Sequence, residues 1–147
     1  MSYRKKMEDC IFCKIIKGEI PSYKVYENEK VIAILDINPA NEGHLLIIPK
    51  QHFEDIFKID EEYLIETIKV AKKLSSLFVE YDGLNILQNN KEQAGQIIKH
   101  FHLHLIPRVR GDENRIFMKW VPKQLSNEQF EQIKNQIKEY LKYAKNL

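Results

Sequence analysis

Three of the chain's five histidines alternate with apolar residues in the segment His100-Phe101-His102-Leu103-His104. Alternate side chains of a β-strand share a face, so this pattern predicts a strand with imidazoles on one face and core residues on the other. Near neutral pH, imidazole can act as a base, a nucleophile or a metal ligand. Residues two apart on a strand lie about 6.5–7 Å from each other, so one metal ion does not easily bind all three, and we expect the histidines to divide roles. The alternatives are a metal-centred oxygenase that uses one His-x-His pair, and a strand of histidines with no role.

The only two cysteines, Cys10 and Cys13, form a C-x-x-C pair, which is too few for a disulfide framework. A redox pair of the thioredoxin type follows a strand, and the residues before Cys10 have no strand character. A metal site is the better prediction, because two cysteines supply half of a tetrahedral zinc shell. Histidines are the natural source of the other half, with His52 and His100 as candidates. The alternative is two small buried residues in a helical turn.

The composition indicates one globular domain. The 147 residues are 44% hydrophobic, which is ample for a single core. With 23 basic and 21 acidic side chains the net charge is +2, so we expect no specific or non-specific nucleic-acid binding. No apolar run approaches the roughly 20 residues of a membrane span, and the basic start runs into Glu8 and Asp9 rather than an apolar signal core. We therefore expect a cytoplasmic protein without membrane contact.

The apolar pattern predicts an α+β fold, with an antiparallel sheet of about five strands covered by helix on one side. A short helix is expected over 10–17, and strands over 23–27, 31–37, 44–48, 84–88 and 100–106. Pro107 is expected to end the last strand.

Two further helices complete the predicted layout. A long helix is expected to begin at Asp60 and to pack through an apolar stripe, which consists of Leu64, Ile68, Ala71, Leu74 and Phe78. Ser126 and Gln129 form a capping box for a last helix. Its apolar face consists of Phe130, Ile133, Ile137, Leu141 and Ala144.

The segment from His100 to Arg108 resembles the signature of the histidine triad (HIT) superfamily, His-φ-His-φ-His-φ-φ with φ apolar. Three upstream blocks resemble the Hint branch of that superfamily in the same order. They are Cys10 to Pro21, Gly43-His44 through Lys50 with His52, and Asn89 with Ala94-Gly95-Gln96. The resemblance covers about the first 110 residues. It implies a single HIT-like domain over 1–147, with a helical extension from about 121, and a homodimer joined through the long helix and sheet edges.

The resemblance implies a nucleotide hydrolase or transferase that cleaves at the α-phosphate of purine nucleotide derivatives. His102 would attack phosphorus and hold the nucleotidyl group covalently until water removes it. His104 and His44 would donate hydrogen bonds to the phosphate oxygens, and Asn89 would orient the site. No P-loop or cluster of acidic ligands is evident, so we expect no Mg²⁺ site.

Binding residues follow from the same resemblance. Asp36 matches the acid that accepts hydrogen bonds from the ribose hydroxyls, and Gly95 and Gln96 belong to the loop beside the nucleotide. The residues that match the purine pocket are Ile11, Phe12, Ile15, Ile20, Ile37 and Leu46. Members with a cysteine pair resemble this chain in joining it to the positions of His52 and His100, which implies a structural zinc ion.

Two departures from the family pattern keep other functions open. Ile97 stands where animal Hint enzymes have a serine that helps to protonate the leaving group, and isoleucine has no proton to donate. Arg108 and Arg110 follow the pattern of the branch that cleaves dinucleoside polyphosphates, where they would meet a longer phosphate chain, although both are also ordinary surface residues. The alternatives are therefore a dinucleoside polyphosphate (Ap4A- or Ap3A-type) hydrolase or phosphorylase, and a nucleotide-binding adaptor without turnover.

Overall fold

The computed structural model describes residues 2–144 and shows an α+β fold built on a five-stranded antiparallel sheet. The strands are β1 (Lys24–Glu27), β2 (Val31–Leu35), β3 (Leu45–Pro49), β4 (Gly83–Leu87) and β5 (Leu103–Arg108). The helices are α1 (Tyr3–Glu8), α2 (Ile11–Ile16), α3 (Glu61–Ser75) and α4 (Asn127–Tyr143). The spatial order is β1-β2-β3-β5-β4, and every neighbouring pair is antiparallel. The predicted fold class is confirmed.

The central strands β2 and β3 are buried on both faces, and a separate apolar cluster covers each face. On one face, β2, β3 and β5 pack against α3. On the other face, β2 and β3 pack against α2 through a cluster that contains Phe12, Cys10 and Cys13. Helix α2 therefore lies on the same face of the sheet as the even-numbered residues of β3. The two-sided burial positions the cysteine pair close to the sheet.

The histidine segment differs from its prediction at both ends. Strand β5 begins at Leu103, so His100 and His102 lie before the strand and not on it. The chain is diverted here because the Phe101 N–H donates to the Phe53 carbonyl at 2.7 Å, outside the sheet. Pro107 lies inside β5 and does not end it. Strand β3 pairs with β5 only as far as Leu105, so Pro107, with no N–H to donate, has no β3 partner to satisfy.

The predicted stripe of α3 is only partly correct: Ala71, Leu74 and Phe78, which lies just beyond the helix, are buried, and Leu64 is half-buried. The buried residues of the helix itself are Thr67, Val70, Ala71 and Leu74, whereas Ile68 is 51% exposed. Thr67 reaches the core without cost because its hydroxyl donates to the Tyr63 carbonyl at 2.7 Å. A prediction that counts only apolar residues therefore omits Thr67 and wrongly places Ile68 on the buried face. Asp60 is the N-cap residue as expected, but its side chain makes no capping hydrogen bond.

The chain divides into two compact units, one ending at Ile116 and the other beginning at Phe117. The second unit contains α4, where Ser126 and Gln129 form the predicted capping box. Helix α1 was not predicted from the sequence. Ser2 begins it by accepting a hydrogen bond from the Lys5 N–H. None of the helices among residues 2–144 has the length and apolar character needed to cross a membrane.

Candidate metal centre and active site

The four residues that the sequence singled out for metal binding converge in the structure. Cys10 is the N-cap of α2, and its Sγ accepts a hydrogen bond from the Cys13 N–H at 3.4 Å, so the helix start places both sulfurs together. His52 and His100 lie in two loops that the Phe101 N–H and Phe53 carbonyl join. All four side chains are buried. The C-x-x-C spacing is thus used as one turn of a helix N-terminus.

The separations between the donor atoms of these four residues are close to those around a tetrahedral zinc ion. Cys10 Sγ lies 3.3 Å from His100 Nδ1, and Cys13 Sγ lies 3.3 Å from His52 Nδ1. The two Nδ1 atoms are 3.1 Å apart. Zinc bonds of about 2.3 Å to sulfur and about 2.05 Å to nitrogen would give about 3.6 Å and about 3.3 Å for these separations. The four residues therefore fit a metal ion with shifts of about 0.3 Å.

The protonation chemistry of the metal centre also fits a cation. The His100 Nε2–H donates to the Pro49 carbonyl at 2.8 Å, so the Nδ1 lone pair faces the sulfurs. Burial, with Cys10 beside it, raises the pKa of the Cys13 thiol to about 12. A bound cation would supply the charge that a thiolate needs here. It would also fasten α2 to the segments around His52 and His100.

The backbone carbonyl of His100 fixes the tautomer of His102. Its Nδ1 lies 2.7 Å from the His100 carbonyl, which can only accept, so Nδ1 carries the proton. The Nε2 atom of the neutral ring then holds a free lone pair. Phe12 packs edge-on against both His102 and His100, with ring centroids 5.1 and 5.8 Å away. Burial lowers the pKa of His102, which favours the neutral, nucleophilic ring.

A second cluster consists of Asp36, His44 and His104. Residues 36 and 44 meet because they directly follow β2 and precede β3, where the Asp36 N–H donates to the His44 carbonyl at 2.9 Å. His44 Nε2 lies 2.9 Å from His104 Nδ1 and 3.6 Å from Asp36 Oδ2. Burial lowers the pKa of His44, and burial together with His102 and His44 lowers the pKa of His104 to about 4. Both rings are therefore neutral near pH 7.

The sequence did not mark Asp36 as a possible metal ligand, yet this cluster has the two histidines and one carboxylate of an iron oxygenase site. Its tautomers oppose that use. The Ala40 N–H donates to His44 Nδ1 at 2.9 Å, so the proton of the neutral ring is on Nε2, the atom that faces His104. A metal ion would have to displace that proton.

A pocket of about 380 Å³ lies beside His102 and the cluster of Asp36, His44 and His104, and most of the predicted catalytic and nucleotide-binding residues line it. Those residues are Phe12, Asp36, His44, Leu46, Asn89, Gly95, His102 and His104. Gly95 has a φ of +95°, and a Cβ there would lie 3.4 Å from Asn89 Nδ2. The pocket loop thus requires a glycine at this position.

Five predicted binding residues do not line this pocket. Ile15 packs into the α2 cluster, Ile20 is half-buried, and Ile11 and Ile37 are exposed. The buried Gln96 side chain holds its own loop, donating to the Glu54 carbonyl at 2.6 Å and accepting from the Lys91 N–H at 2.8 Å.

Sequence reasoning did not select five of the pocket residues, which are Asn38, Ala40, Leu87, Ile98 and Ile106. Only the position of Ile106 on the histidine side of β5 was available from strand parity.

The HIT domain family model matches residues 17–111. The chain belongs to the HIT family. Cys10 and Cys13 lie outside the matched residues. The predicted family is therefore confirmed. Of the four candidate metal ligands, the two histidines lie within the matched region and the two cysteines precede it.

Relatives and solved structures agree with this assignment. The chain is 45% identical over 111 residues to an adenosine 5′-monophosphoramidase of Saccharomyces cerevisiae, covering 76% of this chain and 69% of the relative. It is 41% identical over 107 residues to an adenylylsulfatase of Arabidopsis thaliana, covering 71% and 54%.

Two crystal structures share the fold. A histidine triad nucleotide-binding protein from Candida albicans has a TM-score of 0.82 and 40% identity, covering 90% of this chain and 97% of that one. A zinc-bound histidine triad family protein from Mycobacterium smegmatis has a TM-score of 0.70 and 31% identity, covering 91% and 99%.

The two departures from the HIT pattern have clear positions. Ile97 is 92% exposed at the rim of the pocket, where its side chain offers no proton. Arg108 is not directed at the pocket, because it forms an ion pair with Asp112 at 2.7 Å and donates to Asn85 at 2.6 Å. Arg110 is exposed and lies 3.8 Å from Asp82. The guanidinium of Arg108 is thus held by Asp112 and Asn85, whereas that of Arg110 is exposed to solvent beside Asp82.

Proposed function

We propose that this HIT-family chain is a nucleotide hydrolase that cleaves at the α-phosphate of purine nucleotide derivatives, with His102 as the nucleophile. The observation that carries the proposal is the His102 tautomer. The hydrogen bond to the His100 carbonyl leaves the Nε2 lone pair free on a ring that lines the pocket. The hydrolase names of the yeast and plant relatives support the same reaction class.

The reaction proceeds in two displacements. His102 Nε2 forms a bond to the α-phosphorus while the bond from phosphorus to the leaving group breaks, and the leaving group takes a proton. Water then forms a new bond to phosphorus and gives up a proton to solvent, the nitrogen–phosphorus bond breaks, and His102 regains its lone pair. Because the His44 Nε2–H faces His104 Nδ1 at 2.9 Å, neutral His104 carries its own proton on Nε2, and this N–H donates to a phosphate oxygen, where the transition state spreads negative charge. Because Ile97 cannot protonate a leaving amine, the proton comes from a histidine or from water.

Nucleotide recognition is assigned to the two ends of the pocket. Asp36 accepts hydrogen bonds from the ribose hydroxyls, and Phe12 and Leu46 contact the base, since all three line the pocket beside His102. Asn89 and Gly95, on the loop 89–96, line the part of the pocket that takes the phosphate. The hydrogen bonds of Gln96 hold that loop in its conformation. Ile11, Ile15, Ile20 and Ile37 remain predicted base contacts that this pocket does not include.

We propose zinc as the ion of the metal centre, because two thiolates and two imidazoles in tetrahedral arrangement are typical zinc ligands. Its role is structural: His100 contributes Nδ1 to the metal, and its carbonyl orients His102. Cys10 and Cys13 bind zinc only as reduced thiolates, and a reducing compartment keeps unpaired cysteines in that state, which favours a cytoplasmic location.

We also propose a homodimer. Helix α3 carries Ile65 and Ile68 three residues apart, each about half exposed, so this side of the helix offers an apolar contact to a second copy of the chain. Native mass spectrometry of the wild-type protein tests the assembly, and a monomer at micromolar concentration would refute it.

The deciding experiment measures AMP release from adenosine 5′-phosphoramidate and from diadenosine polyphosphates, side by side. Wild type is compared with His102→Ala and with Arg4→Met, a surface control whose side chain is 92% exposed. We expect His102→Ala to lower the rate by about 10³-fold or more and Arg4→Met to leave it unchanged. We expect the phosphoramidate to react faster, because Arg108 is held by Asp112 and does not meet a longer phosphate chain. Faster cleavage of the diadenosine substrate would favour the dinucleoside polyphosphate branch.

Denaturation in alkaline detergent, which preserves a phosphohistidine, tests the covalent step with α-³²P-labelled substrate. Label should remain on wild-type protein as an acid-labile phosphoramidate and be absent from His102→Ala. Binding of nucleotide without AMP release by either protein would contradict the proposal and favour an adaptor.

A further inference from the structure

Ala40 links the active site to the molecular surface through its two backbone groups. Its N–H donates to His44 Nδ1 at 2.9 Å, and its carbonyl accepts from the Arg115 guanidinium at 2.9 Å. Ala40 also lines the pocket. Neither Ala40 nor Arg115 has a part in the reaction as described so far.

The Ala40 N–H determines the tautomers of two imidazoles. A neutral ring has one N–H, and His44 Nδ1 is already an acceptor, so the proton of His44 is on Nε2. That atom lies 2.9 Å from His104 Nδ1 and donates to it. His104 must in turn carry its proton on Nε2. One backbone N–H therefore leaves His104 with an Nε2–H donor in the pocket that it lines.

The same tautomer protects the cluster of Asp36, His44 and His104 from metal ions. A metal at His44 Nε2 needs a lone pair there, and the proton would have to move to Nδ1. An N–H on Nδ1 would then face the Ala40 N–H, with no acceptor between them. Two N–H donors that face each other in this partly buried contact are unfavourable, so the cluster favours proton donation over metal binding.

A set of polar contacts holds the Ala40 loop against the end of β5. The Asn41 amide donates to the Pro107 carbonyl at 2.9 Å and to Asp112 at 2.8 Å. The Arg115 guanidinium donates to Asn41 Oδ1 as well as to the Ala40 carbonyl. Asp112 is 4% exposed and is itself held by the ion pair with Arg108. Arg115 lies on the surface, so its removal should not disturb the core.

We propose that Arg115 and Asn41 are positioning residues, which hold the Ala40 peptide so that its N–H keeps His44, and through it His104, in the Nε2–H tautomer. His104 then presents a donor to the phosphate in every turnover. The kinetic part of this proposal rests on the proposed function, whereas the tautomers are a property of the protein without substrate.

The first measurement is the tautomer state, read from long-range ¹H–¹⁵N NMR correlations of metal-loaded protein with ¹⁵N-labelled histidine. Wild type should show His44 and His104 with unprotonated Nδ1 and protonated Nε2. Arg115→Met should show a mixture of both tautomers for His44, and Arg115→Lys, which can still donate to the Ala40 carbonyl, should restore most of the wild-type pattern. Arg4→Met is the surface control and should match wild type. A protonated Nδ1 on His44 in wild type would overturn the proposal.

The second measurement is AMP release from adenosine 5′-phosphoramidate. Arg115→Met should lower kcat by about tenfold, the effect of one lost hydrogen bond, with KM within about twofold of wild type. Wild-type tautomers together with wild-type kcat in Arg115→Met would overturn the role of Arg115. Altered tautomers in a protein whose wild type releases no AMP would refute the proposed function alone.

Ala40→Pro provides a stronger variant because proline has no N–H. Zinc analysis should give one ion per chain for wild type and a second for Ala40→Pro, bound by the cluster of Asp36, His44 and His104. A folded Ala40→Pro protein that keeps the wild-type His44 tautomer would overturn the proposal, and the Arg115 variants test it independently if the proline variant does not fold.

Discussion

Removing the proposed metal ion should destabilise the protein measurably, because an ion bound by Cys10, Cys13, His52 and His100 would hold α2 onto the sheet. Helix α2 has only six residues, too few to be stable alone, and it carries two of the ligands as well as Phe12. The donor atoms lie within about 0.3 Å of tetrahedral zinc separations, so little reorganisation opposes binding. Each hundredfold excess of free zinc over its Kd stabilises the folded state by about 2.7 kcal/mol. For a chain of this length that amounts to about 5–11 °C in Tm.

The assay compares Tm and zinc content before and after chelation, for wild type, Cys13→Ala and His44→Ala. Wild type should lose at least about 5 °C on chelation and recover it with added zinc. Cys13→Ala should have a low Tm that chelation does not change. His44→Ala should retain zinc and respond like wild type, since His44 is not a ligand. A wild-type protein that never holds zinc after purification with excess metal, or whose Tm ignores its removal, would refute the reasoning.

Three further predictions test single features of the site. Asp36→Asn should raise KM for an adenosine substrate by roughly ten- to hundredfold, with a much smaller effect on its 2′,3′-dideoxy analogue; equal effects on both would contradict ribose binding. Lys91 in the pocket loop has a φ of +69°, which is strained for a residue with a side chain. Lys91→Gly should therefore raise the free energy of unfolding, measured in urea, by about 1 kcal/mol. A loss instead would mean that its cation–π contact with Phe57, at 4.9 Å, outweighs the strain. Because the pKa of His104 is lowered to about 4 from 6.5, the unfolded chain binds more protons between these values, so stability should rise with pH from about 4 to 6.5. His104→Gln should flatten that rise, and an unchanged slope would argue against a buried neutral ring.

Local spacing predicted the components of the site better than their arrangement. The alternation around the histidines correctly placed Phe101 and Leu103 in the core. The cysteine pair and two histidines were predicted as metal ligands from their chemistry, because few residue types can complete such a shell, and the structure brings their donor atoms within 4.8 Å of one another. The strand start was wrong, since the contact between Phe101 and the Phe53 loop is long-range and leaves no local signal.

Other features depended on pairing register or on backbone groups. Asp36 joins His44 because Leu35 pairs with Leu45, a register that the sequence did not specify uniquely. The burial of Thr67 in α3 required a hydroxyl contact within the helix that an apolar pattern does not count. The histidine tautomers are set by peptide groups that every residue possesses, so no residue type indicates them.

The control of histidine tautomers by main-chain groups determines which substitutions the site tolerates. Three imidazoles, those of His44, His100 and His102, receive their proton positions from main-chain atoms of Ala40, Pro49 and His100. A main-chain group survives the replacement of its own side chain as long as the local backbone path is kept. A saturation scan should therefore find residue 40 permissive to most small side chains and intolerant of proline. The tautomers of the site histidines thus depend on the backbone conformation, and neighbouring side chains can be replaced without changing them.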